Sequence, residues 1–161
     1  MSTFPFSDTT LDALSKAGWT PGRQIDIDAY ERIAVDAGGP DSALARAFLQ
    51  QFGNLEIIDV DRDDVYVNTV LQELITGDVV HRDVEMLRRR LFYVGRCVYD
   101  LELLLMDSAG AVYRHDPMTS RNFGGINLIK FAVSGEDAIE KLVQECVTGV
   151  DAAGEVVAHW G

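Results

Sequence analysis

Two kinds of hydrophobic spacing follow one another along this chain, and their order excludes most fold classes. Up to about residue 53, apolar residues recur every three or four positions, which is typical of amphipathic helices. From Leu55 onward, β-branched and aromatic residues concentrate in short runs that indicate strands. One helical segment interrupts these runs and another follows them, so the regular strand–helix alternation of a parallel sheet is absent. The sequence therefore predicts an α+β fold, in which a mainly antiparallel sheet packs with N-terminal helices and a C-terminal helix.

Three short helices are predicted in the first third of the chain. The first covers Asp8–Ala17 and ends at Gly18, a residue suited to the left-handed conformation that follows many helices. The second covers Asp28–Ala37, and the third starts near Pro40 and ends at Gly53. The residues expected on the buried stripe of the third helix are Leu44, Phe48 and Phe52.

The segment between the first two helices is predicted to reverse sharply. Pro21 and Gly22 stand at the two central positions of a type II turn, where proline fixes one φ and glycine supplies a positive φ. We therefore expect the chain to turn back here, with Trp19 folded onto the first helix.

The strands expected after residue 54 are Leu55–Val60, Val65–Leu71, Val98–Met106, Ala111–His115 and Asn127–Val133. The first two form a hairpin that is joined by the acidic turn Asp61–Asp64. The next two form a second hairpin, with Gly110 available for a positive φ in its turn. Together these strands predict a meander sheet.

Helical spacing returns twice among these strands. Arg82–Val94 is predicted to form a helix that ends at Gly95, because its apolar residues recur at helical intervals. A final helix follows the last strand, with Ser134 and Asp137 as its capping residues. Residues Val150–Gly161 are expected to be a weakly patterned tail.

The chain is expected to be one cytoplasmic domain. Its 161 residues match a single domain, which would span residues 1–161 with a core over about 11–149. No apolar run approaches the roughly 18 residues of a membrane-spanning helix, and the first residues lack the pattern of a signal peptide. Cys97 and Cys146 stand far apart in apolar settings, which favours buried thiols over a disulfide framework.

An excess of acidic residues limits the partners that the chain can bind. The 26 Asp and Glu residues exceed the 14 Lys and Arg residues, and the resulting net charge of −12 opposes binding to nucleic acids or anionic membranes. A basic protein surface is the complementary partner. The candidate contacts for it are the acidic residues of the first hairpin turn, Asp59, Asp61, Asp63 and Asp64.

The spacing of this acidic turn matches a calcium-binding loop only in its first half. Asp59, Asp61 and Asp63 have the one-three-five spacing of such a loop, but Asp64 and Val70 replace the glycine at position six and the carboxylate at position twelve. We therefore predict no metal site. Two interpretations of the turn stay open, a solvated surface turn and a docking surface for a cationic partner.

No catalytic motif is found in the sequence. His81, His115 and His159 have no spacing that suggests a metal site or a nucleophile–base pair, and no cofactor-binding motif is found. A small enzyme built around Cys97 or His115 stays open as an alternative. Arginines outnumber acidic residues five to two between residues 82 and 96, but their pattern lacks the interleaved aromatic residues of a base-stacking surface.

Five short motifs occur in order along the chain. The first is Ala17–Arg23, with the sequence AGWTPGR, and the second is Phe48–Leu55, with the sequence FLQQFGNL. Leu103–Asp107, Gly110–Tyr113 and the helical segment Ala138–Leu142 follow. In these motifs the chain resembles the third subfamily of the SUKH immunity proteins, over about residues 11–149.

The resemblance implies an α+β domain that binds a toxin made by the same bacterial cell or its kin. The domain would block the active site or the substrate path of that toxin, with no catalysis of its own. The chain departs from the family pattern at Asn54, where a second glycine is common, and in a longer insert at about 71–81.

The residues that carry the resemblance are expected to be scaffold rather than partner contacts. They are Gly18, Trp19, Pro21, Gly22, Arg23, Phe52 and Gly53. Trp19 would hold a helix end, Pro21 and Gly22 would form the turn, and Arg23 would bind a nearby carboxylate or carbonyl.

The expected partner is the cognate toxin of a polymorphic toxin system. A basic toxin domain of the nuclease type fits the acidic charge, because proteins that act on nucleic acid carry cationic surfaces. The alternative is a general protein-interaction or regulatory scaffold of the same fold. Adjacency of the gene to a large toxin gene would separate the two.

Overall fold

The computed structural model describes residues 6–36, 38–59, 64–68, 90–97, 102–115, 126–148 and 155–160. This part of the chain contains four helices and one antiparallel sheet of seven strands, which confirms the predicted α+β class. The helices are α1 Asp8–Lys16, α2 Asp28–Asp36, α3 Ala43–Phe52 and α4 Gly135–Thr148. The strands are β1 Glu56–Asp59, β2 Asp64–Asn68, β3 Phe92–Cys97, β4 Glu102–Met106, β5 Val112–His115, β6 Ile126–Ala132 and β7 Glu155–Trp160.

Serine side chains cap the start of three of these helices. Ser7, Ser42 and Ser134 each accept a hydrogen bond from the backbone N–H three residues later. The predicted start of the third helix near Pro40 is therefore wrong, because the cap at Ser42 places Pro40 outside the helix. Asp137 completes the cap of α4, since its Oδ2 accepts from the Val133 N–H at 3.1 Å.

The strands lie in chain order across the sheet, so that each one pairs with the strand before it. β1 and β7 are the outer strands of the described sheet. In such a meander the successive connections alternate between the two ends of the sheet. The β1–β2 hairpin end and the β4–β5 turn therefore lie at opposite ends.

Two sequence predictions about the sheet are wrong. β3 occupies the end of the predicted helix Arg82–Val94, because Phe92 and the residues after it pair with β4. Gly95 lies inside β3, next to a register shift, and does not end a helix. β7 occupies half of the predicted tail and pairs with β6. The rest of that predicted helix, 82–89, and the predicted loop 116–125 lie outside the described residues.

The hydrophobic core lies between the helices and one face of the sheet. Side chains without solvent exposure come from α1, α3 and α4, namely Leu14, Leu49 and Ile139. Leu104 and Met106 of β4 belong to the same core, so the alternation of a strand turns Leu103 and Leu105 to the other face. Both of these leucines are buried as well. β4 is therefore buried on both faces over Leu103–Met106, which explains the uninterrupted apolar sequence of these four residues.

The turn predicted after α1 is present, but its type differs from the prediction. Arg23 N–H donates to Thr20 O at 3.0 Å and closes the turn around Pro21 and Gly22. Gly22 lacks the positive φ that a type II turn requires, so this part of the prediction is wrong. The described glycines with a positive φ are Gly18, Gly38 and Gly110.

None of the described helices combines the length and the apolar content that crossing a bilayer requires.

Candidate functional site

Two of the four acidic residues predicted to bind a partner lie at one end of the first hairpin. Asp59 ends β1 and Asp64 begins β2, and the two residues are paired directly across the strands. Asp61 and Asp63 lie outside the described residues. Like charges at opposed positions destabilise an antiparallel pair. The register thus places two acidic residues at paired backbone positions at this end of the hairpin.

The first sequence motif, Ala17–Arg23, folds the end of α1 against the end of α3. Gly18 adopts a φ of +97°, which turns the chain so that Trp19 N–H donates back into the last turn of α1. The Trp19 indole stacks on the Phe52 ring, with centroids 5.9 Å apart and planes inclined by 6°. Phe6 packs edge-on against both rings.

Arg23 binds the same motif to the C-terminal end of α3. Its Nη1 donates to the Gln51 carbonyl oxygen at 2.7 Å, and Ile25 N–H donates to Gln50 O at 3.0 Å. Burial lowers the pKa of Arg23, and the nearby Tyr30 opposes that shift. The guanidinium nevertheless stays charged at neutral pH, and a cation at the carbonyl end of a helix is favoured by the helix dipole.

The second motif, Phe48–Leu55, ends α3 with two residues of special geometry. Gly53 has no room for a side chain, because a Cβ there would lie 2.6 Å from Leu49 O. Asn54 follows with a φ of +59°, a left-handed conformation that asparagine adopts more readily than most residues. Tyr30 Oη donates to Asn54 Oδ1 and accepts from Asn54 N–H, both at 3.3 Å. Asn54 thus occupies a backbone conformation for which a second glycine would also be suited.

The two motifs therefore form one joint at the ends of α1 and α3, defined here by Trp19, Arg23, Phe52 and Gly53. A protein-family model described as SUKH-3 immunity protein matches residues 6–145, which include the whole joint. The chain belongs to the SUKH-3 immunity protein family. Membership places it among immunity proteins, whose family role implies binding to a cognate toxin. Comparisons with curated proteins and with solved structures gave no match.

The seven residues that carry the SUKH-3 resemblance fall into two groups. Trp19, Arg23, Phe52 and Gly53 make the contacts of the joint described above. Gly18, Pro21 and Gly22 are exposed at the turns that lead into it. Nothing lies within 4 Å of the place where a Cβ of Gly22 would stand.

The described catalytic candidate of this SUKH-3 protein is buried in the sheet. His115 has no solvent exposure and is paired with Leu103 on one side and Leu128 on the other. A base in this position has no access to a substrate in solution. The side chain of the alternative candidate Cys97 lies outside the described ones, as do those of His81, His159 and Cys146. Among the described residues, no group of His, Cys, Asp or Glu is arranged to hold a metal ion.

The third and fourth SUKH-3 motifs meet in the β4–β5 turn, which confirms the predicted second hairpin. Asp107 Oδ1 accepts from the N–H groups of Ala109 at 2.9 Å and Ala111 at 3.0 Å. Tyr113 Oη donates to Asp107 Oδ2 at 2.8 Å. Burial, together with the bond to Asp107, raises the pKa of Tyr113 to about 12. The phenol therefore stays protonated at neutral pH and holds the turn in one geometry.

The exposure of two apolar residues near this turn was not predicted from the sequence. Leu44, predicted on the buried stripe of α3, is 51% exposed, and Val133, predicted as a strand end, is 69% exposed. Residues spaced by four drift by about 40° per step around a helix of 3.6 residues per turn. Leu44 therefore lies about 80° from Phe52 and leaves the buried face. The exposure of Leu44 could have been predicted from this angular drift. The exposure of Val133 could not, because it depends on where β6 ends.

Proposed function

We propose that this SUKH-3 protein neutralises the cognate toxin of a bacterial polymorphic toxin system. It binds the toxin one to one in the cytoplasm and blocks the active site or the substrate path. The observation that carries the proposal is the family match over residues 6–145. Such a function requires a stable, complementary surface and no acid, base or metal group of its own.

The scaffold part of this proposal concerns the joint. The ring faces of Trp19 and Phe52 stack on each other, and the Arg23 guanidinium donates to a main-chain carbonyl. Side chains committed to such contacts are poorly placed to meet a partner. These contacts support a role in holding α1 against α3, with the toxin bound by residues elsewhere on the surface.

The electrostatic part of the proposal concerns the acidic hairpin end. The net charge of −12 favours a cationic partner, and a toxin that acts on nucleic acid offers a cationic surface. Asp59 ends the outer strand β1 and is the backbone pairing partner of Asp64 in β2, so two acidic residues occur at this hairpin end. We place this hairpin end at the rim of the interface, where charges steer association.

Co-expression tests the proposed function. The chain is produced together with the toxin domain encoded beside its gene, and both survival and co-purification are scored. The expected result is survival and a one-to-one complex, whereas the same chain gives no protection against a toxin domain of an unrelated system. Toxicity that persists without any complex would contradict the proposal. Co-purification without protection would indicate a general interaction scaffold instead.

A further inference from the structure

We draw no further inference here: the strongest candidate, the buried His115 on the sheet face that it shares with Leu103, opposite the helices, carries nothing because the part of the chain that the structure describes does not show what covers its imidazole.

Discussion

At the scale of single residues, Gly53 shows that the joint depends on a missing side chain. A Cβ on this residue would lie 2.6 Å from Leu49 O, so an alanine there forces the backbone to shift. We expect Gly53→Ala to lower the free energy of unfolding by about 2 kcal/mol. Gly22→Ala is the matched control and should stay within about 0.5 kcal/mol of the unaltered chain, because its Cβ meets open space. Urea unfolding measures both, and equal stability of the two variants would contradict the prediction.

Glu140 makes the contact between α1 and α4 sensitive to acid. Burial alone would raise the pKa of Glu140, but hydrogen bonds from Thr10, Ser7 and Gln144 outweigh burial and lower the pKa below its ordinary value of 4.5. A carboxyl group with a lowered pKa in the folded state stabilises the fold above that ordinary value. This contribution disappears as the pH falls through the lowered pKa.

The corresponding prediction compares Glu140→Gln with the unaltered chain at two pH values. At pH 7 the variant should lose about 1 kcal/mol of unfolding free energy, since the Ser7 N–H and Gln144 amide lose a charged acceptor. The difference should shrink as the pH falls through the lowered pKa of Glu140, because the carboxylate itself then becomes protonated. Denaturant unfolding at each pH measures the difference, and a constant difference across this range would show that the charge is not responsible.

The sequence predicts residue positions in the joint better than it predicts their physical causes. Gly53 was expected to end α3, as it does, but its need for glycine comes from the approach of Leu49 O, which no local pattern reveals. Asn54 departs from the family pattern in residue type while keeping a positive φ. Arg23 was expected near a carboxylate or carbonyl, and only the fold identifies Gln51 O as that acceptor.

At the scale of secondary structure, β7 protects an edge of the sheet. It pairs with β6 from Ile126↔Trp160 to Lys130↔Glu155 and lies beyond the residues that match the family. Removal of residues 151–161 should make β6 an outer strand, because its hydrogen-bonding groups on that side lose their partners. We expect faster amide hydrogen exchange throughout β6 and a greater tendency to aggregate. Unchanged exchange in β6, measured by mass spectrometry, would contradict this assignment.

Strand pairing explains which elements the sequence mispredicts. Phe92–Val94 continues the helical spacing of the preceding residues, yet it also carries aromatic and β-branched side chains that suit a strand. Pairing of Phe92 with Met106 favours the strand over the helix, and Met106 lies 14 positions further along the chain. β7 is similar, since its six residues form a strand by pairing with β6. The β4–β5 hairpin was predictable because its strands are joined by a short local turn.

At the scale of the whole molecule, the proposed function predicts that the acidic charge of the chain steers the approach of the toxin. The association rate with the toxin domain should fall about tenfold between roughly 20 and 200 mM salt, because screening weakens the attraction to a net charge of −12. Asp59→Ala with Asp63→Ala should slow association and weaken protection more than Asp12→Ala with Asp36→Ala, which removes the same charge from α1 and α2. Stopped-flow binding measures both.

The two halves of this prediction can fail separately. A rate that does not respond to salt would remove electrostatic steering and leave blocking by shape. Equal slowing by the two double variants would show that the charge of the whole molecule acts without a preferred site. Thermal unfolding of both double variants separates a slower association rate from a loss of folding.

Fold class and family were predictable from the sequence because they depend on local spacing and on short motifs such as AGWTPGR. Which apolar residues are exposed on the surface was not predictable from the sequence. The exposure of Leu44 and Val133 depends on how α3, the β4–β5 turn and the end of β6 pack against the rest of the fold.

The stacked Trp19 and Phe52 rings have a further consequence for telling relatives apart. The joint residues identify the family through contacts inside the fold, so they do not indicate which toxin a given member binds. Two family members with identical AGWTPGR segments can therefore bind unrelated toxins, and we expect cross-protection to follow surface residues outside the joint. Exchanging surface residues outside the joint between two family members should therefore change which toxin each of them binds.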